Sequence, residues 1–479
     1  MQRAFRWRGL VASAAIVIAV MTTLLTTGLV TPASSQPSGL GVIKHVIVIM
    51  QENRSFDDYF GTFPGADGIP PGTCLPAAST RDCVPSFHDP SDRNTGLPHG
   101  YTSALADIDG GKMDGFIGQA VGTSATACLL AHDPTCTLPD AGTEVTGYHD
   151  QHEIANYWDY AQQFALFDHM YEPAPSYTLP AHLYLVSNWS ATCNKAGDPE
   201  SCQTDMVGPG QVPGVPKAKQ YAWTDITWLL HNAGVSWNYF VAPGTEPDCT
   251  NSSDAYCVPV DQKIGSQSIF NPLPEFNDVQ ETGQLGNIQT ADNFLSEAQN
   301  GTLPNVSWVV PSNTNSDHPD ALLSRGQSWV TSLVNAVMDG PDWDSSAIFL
   351  VWDDWGGFYD HKPPPTPSQL GIPGTADDPG YGIRVAAMVI SPFAKQGFID
   401  HQTYSFDAFN KFIEDVFLSG QRLDPTTDGR PDSRPDVRED FVPGDLADPV
   451  LGPFDFTQSP RAPHLLPVYP LPAPGETGA

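Results

Sequence analysis

The sequence predicts an α/β protein built around buried parallel strands. Residues 46–50 (VIVIM) and 348–352 (IFLVW) form continuous apolar runs rather than alternating ones. Such runs are typical of parallel strands that are covered on both faces. Apolar residues at helical spacing, as in residues 154–165, lie between the two runs. With 479 residues, the chain can bury a sizeable core in one large α/β domain or two smaller ones.

The first 36 residues have the pattern of an export signal. Arg3, Arg6 and Arg8 precede an apolar run from about Leu10 to Val30, and small residues follow. The run is also long enough to remain as an uncleaved membrane anchor. The sequence therefore predicts a secreted or cell-envelope protein, with cleavage and anchoring as the two alternatives.

The net charge excludes one class of partner. The chain has 55 acidic and 22 basic residues, and removal of the three N-terminal arginines would change the net charge from −33 to −36. Such a surface repels nucleic acid and anionic lipid headgroups. A nucleic-acid partner is therefore not expected.

The first buried strand ends in polar side chains. In the stretch HVIVIMQENRSFDDYFGTF, residues 45–63, Glu52 and Asn53 follow the apolar run. Ligands of open α/β sheets bind beyond the carboxyl ends of the strands. The two residues are therefore either site residues or simple turn-forming residues.

The eight cysteines occur as four pairs of near neighbours, separated by 9, 8, 9 and 8 residues. This spacing and the export signal favour four local disulfides over a zinc site, because no pair has C-x-x-C spacing. The pairs are Cys74 with Cys83, Cys128 with Cys136, Cys193 with Cys202, and Cys249 with Cys257.

A candidate nucleophile lies in the segment EPAPSYTLPAHLYLVSN, residues 172–188. Thr178 precedes an amphipathic pattern with Pro180 in the first turn, which predicts a helix with Thr178 as its N-cap. The hydroxyl either caps the helix or attacks a phosphate bound at the helix start. Ser176 is the rival nucleophile.

The third informative region is residues 307–361. It contains the SDHP sequence around His318, and the second apolar run, which ends in Asp353 and Asp354. Adjacent carboxylates at a strand end repel each other unless a cation joins them, so a metal is expected. Gly356 and Gly357 then allow a sharp turn. A further strand is predicted at residues 385–393.

These motifs together resemble the bacterial phosphoesterase family that contains non-haemolytic phospholipases C and a related acid phosphatase. The segments that carry the resemblance are HVIVIMQENRSFDDYFG, GGKMDGF, PSYTLPAHLYL, SDHP, VWDDWGGFYDH, GIRVAAMVISPFAKQGFIDH and FIEDVF. The resemblance covers roughly residues 42–461. It implies an alkaline-phosphatase-like fold, with a central mostly parallel sheet flanked by helices and loop-rich insertions.

The resemblance also implies a set of site residues. One divalent ion is expected, with Ca²⁺ favoured and Mg²⁺, Mn²⁺ or Zn²⁺ as alternatives. Thr178 is implied as the nucleophile, and His318 and His99 as phosphate-contacting histidines. The implied metal ligands are Glu52, Asn53, Thr178, Asp353 and Asp354.

Two departures from the family pattern concern the site. In many members an Asn follows the Pro of the nucleophile segment, where this chain has Ala181 and then His182. In many members the second acid of the metal pair is Glu, where this chain has Asp354. The expected organisation is an N-terminal signal (1–36), a phosphoesterase domain (37–461) and a Pro-rich tail (462–479), without the C-terminal modules of haemolytic-type phospholipases C.

The sequence thus predicts a metal-dependent phosphoric ester hydrolase that forms a phosphothreonine at Thr178. A phospholipase C acting on phospholipids, with transient contact to a membrane surface, is favoured over an acid phosphatase acting on small phosphomonoesters. A catalytically inactive binding protein is the alternative from another class.

Overall fold

A central sheet of eight strands organises the part of the chain that the computed structural model describes. The described residues are 39–77, 82–95, 97–121, 144–191, 221–248, 258–319, 321–366, 369, 380–423, 440–441 and 450–469. The strands of the sheet are β1 (His45–Gln51), β2 (Ala165–Phe167), β3 (Trp237–Val241), β4 (Ile288–Thr290), β5 (Val306–Val310), β6 (Ser346–Trp352), β7 (Ala387–Ile390) and β8 (Phe398–Asp400). Their order across the sheet is β4-β3-β5-β1-β6-β7-β2-β8.

The sheet is mostly parallel, which confirms the predicted fold class. The strand β1 lies between β5 and β6 and is parallel to both. The strand β7 is antiparallel to its two neighbours, β6 and β2. The predicted strand at residues 385–393 therefore exists in shorter form, but it ends at the opposite edge of the sheet from β1 and β6.

Helices flank the sheet. They are α1 (Phe56–Phe60), α2 (Tyr101–Ile108), α3 (Ala155–Gln163), α4 (Thr178–Ser187), α5 (Ile226–Ala233), α6 (Asn277–Glu281), α7 (Ala291–Asn300), α8 (Leu323–Asp339) and α9 (Asp407–Phe417). The helix predicted within residues 154–165 is α3, and its apolar face is buried as expected. Gly234 and Gly301, in left-handed conformations, end α5 and α7.

The buried faces of the sheet and the helices form one large hydrophobic core. All residues of the apolar runs 46–50 and 348–352 are 0% exposed. Each large side chain buried in this way contributes about 1.5–3 kcal/mol. A second, smaller cluster contains Leu97, Phe116, Trp355 and Phe358. This second cluster supports the loop that carries His99.

Four short pairs of strands lie outside the central sheet, among the described residues. They are Cys74–Pro76 with Cys83–Pro85, Phe87–His88 with Gly147–Tyr148, Thr245–Asp248 with Val258–Asp261, and Val450–Leu451 with Phe454–Asp455. A disulfide joins Cys74 to Cys83, as predicted. The other six cysteines lie outside the described residues, so the remaining three pairings stay predictions.

The two ends of the chain are described only in part. The predicted export signal, residues 1–36, lies outside the described residues. Within the described ranges, no helix combines the length and apolar character that crossing a membrane requires. The described part of the Pro-rich tail contacts the domain, since Asn335 donates a hydrogen bond to the Leu466 carbonyl (2.8 Å) and Asn156 donates one to the Pro467 carbonyl (2.9 Å).

Candidate active site

Two pairs of polar side chains follow the neighbouring strands β1 and β6. In the register of this parallel pair, Gln51 lies beside Trp352. Glu52 and Asn53 therefore emerge at the same height as Asp353 and Asp354. All four side chains are buried, with at most 1% exposed. The fold thus brings together the four residues that the strand-end pattern singled out.

Hydrogen bonds join the two pairs. The backbone N–H of Asn53 donates to Asp353 Oδ1 (2.9 Å), and its side-chain Nδ2 donates to Asp354 Oδ1 (3.1 Å). Asn53 has a φ of 57°, in the left-handed region that non-glycine residues rarely adopt. Such strain is held by the surrounding structure and is concentrated at functional sites.

The glycine pair after Asp354 allows close packing of the turn. Gly356 has a φ of +63°, and a Cβ there would lie 2.6 Å from the Asn53 carbonyl oxygen. Gly357 has a φ of +81°, and a Cβ there would lie 2.4 Å from Leu97 Cβ. Only glycine fits both positions. The turn therefore packs against the Asn53 backbone and against the loop that leads to His99.

Thr178 lies beside the carboxylates. The prediction that Thr178 is the N-cap of α4 is wrong by one residue, because Tyr177 is the N-cap and Thr178 is the first helical residue. Its hydroxyl therefore does not cap the helix. It donates instead to Glu52 Oε2 (3.4 Å) and lies close to the Asp353 carboxylate. Ser176 is buried two residues earlier, and its backbone amide donates to Glu172.

His182 is a site residue that the sequence interpretation did not assign. It lies one turn after Thr178 on the same face of α4, and its Nε2 is 3.4 Å from Glu52 Oε1. Ligand atoms of Glu52, His182 and Asp353 all lie within 4.8 Å of one another. Burial lowers the pKa of His182 to about 3, so the ring is neutral. The spacing of four residues from Thr178 was the available signal.

The charge of the site favours a bound cation. Burial, followed by the negative charge of Asp353, raises the pKa of Glu52 and of Asp354 well above the usual values. Among the described residues, Asn53 Oδ1 and Asp354 Oδ2 are buried without any hydrogen-bond donor. Clustered carboxylates and orphaned oxygens fit a divalent metal ion, which would neutralise the former and coordinate the latter.

The two predicted histidines lie together. The rings of His99 and His318 pack edge to face, with centroids 5.8 Å apart. Nδ1 of His99 donates to the Leu97 carbonyl (2.6 Å), and Nδ1 of His318 donates to the Pro319 carbonyl (2.9 Å). Burial lowers the pKa of His318 to about 3 and also lowers the pKa of His99, against the opposing effect of Asp353. Both rings are therefore neutral and present Nε2 as an acceptor.

The comparisons with known proteins agree with the motifs. A family model described as the Phosphoesterase family matches residues 43–418. The chain belongs to the Phosphoesterase family. It is 27% identical over 436 residues to the non-hemolytic phospholipase C of Burkholderia pseudomallei. This alignment covers 81% of this chain and 57% of that protein. It is 24% identical over 407 residues to phospholipase C B of Mycobacterium tuberculosis. That alignment covers 80% of this chain and 74% of that protein.

The family predicted from the sequence motifs is thus confirmed. The chain aligns with little more than half of the length of the Burkholderia relative. Among solved structures, a protein in the alkaline phosphatase superfamily from Vibrio parahaemolyticus matches it with a TM-score of 0.34 and 9% identity, covering 79% of this chain and 68% of that chain.

Glu172 connects two loops of the candidate site. Its Oε1 accepts a hydrogen bond from the Trp355 amide (2.9 Å), and its carboxylate also accepts one from the Ser176 amide. Burial, followed by the charge of Asp354, raises the pKa of Glu172 well above its usual value. Glu172 therefore links the segment before Thr178 to the turn after Asp353 and Asp354.

Within the described ranges, two other clusters of potential ligands already have partners. Asp57 and Asp360 bind the buried guanidinium of Arg384, at 2.9 and 3.1 Å. The guanidinium of Arg384 already neutralises these two carboxylates. At the surface, His88 pairs with Glu153 (2.9 Å), and a neighbouring histidine, His152, pairs with Asp150 (2.6 Å).

Proposed function

We propose that the protein is a secreted, metal-dependent phosphoric ester hydrolase of the phospholipase C type, with Thr178 as its nucleophile. Membership of the Phosphoesterase family and the relatives named phospholipase C support a hydrolase acting on phosphate esters. The observation that carries the proposal is the Thr178 hydroxyl, which is buried beside the carboxylates at the ends of β1 and β6 rather than used as a helix cap.

The residues that would hold the divalent ion are Glu52, Asn53, Asp353 and Asp354, together with Thr178 Oγ. When bound, the ion would neutralise a phosphoryl oxygen and make the Thr178 hydroxyl more acidic. These donors are hard oxygens, which is why Ca²⁺ is the first choice on the sequence alone.

The protein residues perform the transfer. Thr178 Oγ forms a bond to phosphorus while the bond to the alcohol oxygen breaks. The alcohol, which is diacylglycerol when the substrate is a phospholipid, leaves with the proton of the Thr178 hydroxyl. Water then cleaves the phosphothreonine, restores the hydroxyl and releases the phosphate together with its headgroup. His99 and His318 are neutral, so each can accept a proton at Nε2 when a phosphate group binds nearby and raises its pKa. They can then donate a hydrogen bond to a phosphoryl oxygen or a proton to the leaving oxygen.

The proposed substrate is a zwitterionic phospholipid such as phosphatidylcholine. The net charge of −33 disfavours anionic membranes, whereas a choline headgroup is compatible with carboxylates and aromatic faces. The substrate class implies transient contact with a membrane surface. A small phosphomonoester, cleaved by an acid phosphatase activity, is the alternative substrate.

The deciding assay compares phosphatidylcholine with p-nitrophenyl phosphate under one set of conditions. We expect diacylglycerol release from the lipid to be the faster reaction. Faster hydrolysis of the monoester, with no diacylglycerol formed, would assign a phosphatase instead. Metal bound in purified protein without turnover of either ester would favour an inactive binding protein, although each predicted nucleophile and ligand position keeps a suitable side chain.

A further inference from the structure

We infer that His182 is a nitrogen ligand of the metal ion, and that the site therefore prefers a first-row transition ion such as Mn²⁺, Fe²⁺ or Zn²⁺ over Ca²⁺. The inference rests on the proposed function, because it concerns the metal of the same site. It revises the sequence-based preference for Ca²⁺, which considered oxygen donors alone. His182 Nε2 lies 3.4 Å from Glu52 Oε1.

The hydrogen bonds of the other ring nitrogen fix the tautomer of His182. Nδ1 lies 3.1 Å from the Tyr239 hydroxyl. That hydroxyl has a single proton, and it donates this proton to the Phe270 carbonyl (2.5 Å). Tyr239 can therefore only accept from Nδ1. The proton of the neutral ring lies on Nδ1, and Nε2 carries a lone pair.

The lone pair of Nε2 then faces a carboxylate. When the Glu52 carboxyl is ionised, neither Nε2 nor Glu52 Oε1 carries a proton to share, and both groups are 0% exposed, so water does not screen them. A cation between the two atoms removes this conflict. Asp353 completes the group, since ligand atoms of Glu52, His182 and Asp353 lie within 4.8 Å of one another.

The arrangement around Nδ1 is the one found at metal-bound histidines. A ligating imidazole commonly donates its other N–H to a neighbouring oxygen, which fixes the ring orientation. Tyr239 supplies that oxygen here, and its own bond to the Phe270 carbonyl holds it in place. Imidazole suits Zn²⁺, Fe²⁺ and other transition ions, whereas Ca²⁺ takes oxygen ligands. One nitrogen among carboxylates therefore moves the preference of the site away from Ca²⁺.

The test is a measurement of metal coordination on the full-length protein. Purified protein without a histidine tag is stripped with a chelator and loaded with Mn²⁺, and pulsed EPR then detects ¹⁴N coupling from a directly bound imidazole. The variants are His182→Gln and, as a matched control from the same site, His318→Gln. We expect the ¹⁴N coupling in the wild type and in His318→Gln, and its loss in His182→Gln.

Calorimetric titration of the same proteins provides a second readout. Loss of a direct ligand should weaken Mn²⁺ binding at least about 10-fold in His182→Gln, since even loss of an outer-shell partner costs 10- to 100-fold. Ca²⁺ affinity should be largely unchanged in that variant. The Tyr239→Phe variant, which removes the oxygen that accepts from Nδ1, should weaken Mn²⁺ binding without removing the ¹⁴N coupling.

Three outcomes would overturn the inference: no ¹⁴N coupling in the wild type, coupling that persists in His182→Gln, or tighter binding of Ca²⁺ than of Mn²⁺ by the wild type. None of these outcomes affects the proposed function, which requires only a divalent ion. Conversely, full ester hydrolysis by metal-stripped protein would reject the proposed metal dependence while leaving the coordination result in place.

Discussion

Removal of the Thr178 hydroxyl should abolish turnover and leave the fold intact. Loss of a covalent nucleophile lowers kcat by about 10⁶-fold in a well-studied hydrolase, so a decrease of at least about 10⁴-fold is expected here. Thr178→Val is the sharpest variant, because valine keeps the shape of the side chain and removes only the hydroxyl. Thr178→Ser keeps the attacking oxygen and should retain substantial activity.

The effect of these variants on stability should be small. The hydroxyl does not cap α4, and its hydrogen bond to Glu52 is long, at 3.4 Å. A typical hydrogen bond contributes about 1 kcal/mol to stability, and a long one contributes less. The free energy of unfolding of Thr178→Val should therefore fall by about 1 kcal/mol or less, which shifts the melting temperature by at most about 4 °C.

Initial rates on the preferred ester, together with thermal unfolding of each variant, test this prediction. Mass spectrometry of acid-quenched wild-type protein should also find a phosphoryl group on the peptide that contains Thr178. Near-wild-type activity of Thr178→Val would refute the assignment of the nucleophile. If Ser176→Ala is the inactive variant instead, the role belongs to Ser176.

Two further predictions concern the carboxylates. Asp353→Asn should lose both ester hydrolysis and bound metal, which elemental analysis would detect; a variant that keeps its full complement of metal would contradict the ligand assignment. In metal-stripped protein, burial raises the pKa of the Glu52 and Asp354 carboxyls above their unfolded values, so the folded state retains protons that the unfolded state releases. Calorimetry should therefore show a melting temperature that falls as the pH rises above about 4.5, with recovery when metal is added; a melting temperature of stripped protein that is constant or rises with pH would refute this.

The buried centre of the sheet could be predicted because the two central strands have unbroken apolar sequences. Strands β1 and β6 have no polar residue between Val46 and Met50 or between Ile348 and Trp352, so their burial on both faces was evident. The polar residues that follow were then expected at one edge of the sheet. Strand polarity was not predictable in the same way. Strand β7 has the same kind of apolar run but is antiparallel, because direction depends on how the chain returns to the sheet.

The position of His182 shows why part of the site could not be found from the sequence. Its partners Glu52 and Tyr239 lie 130 and 57 residues away along the chain. The four-residue spacing places His182 on the same helix face as Thr178, but no local pattern indicates its contacts with Glu52 and Tyr239. Within α4 the histidine is surrounded by apolar residues that suggest a core position. The N-cap of the same helix was misplaced by one residue because Thr is a strong N-cap residue, whereas Tyr177 occupies the position without a side-chain cap.

The register between β1 and β6 has a consequence for changes in chain length. The pairing of Gln51 with Trp352 places the two ligand pairs at the same height. Deletion or insertion of one residue within either strand would move its pair by about 3.3 Å along the strand and turn the side chains to the opposite face of the sheet. The lengths of β1 and β6 therefore determine the relative position of the proposed metal ligands that follow them. Insertions are expected to be tolerated in surface loops but not between Val46 and Asn53.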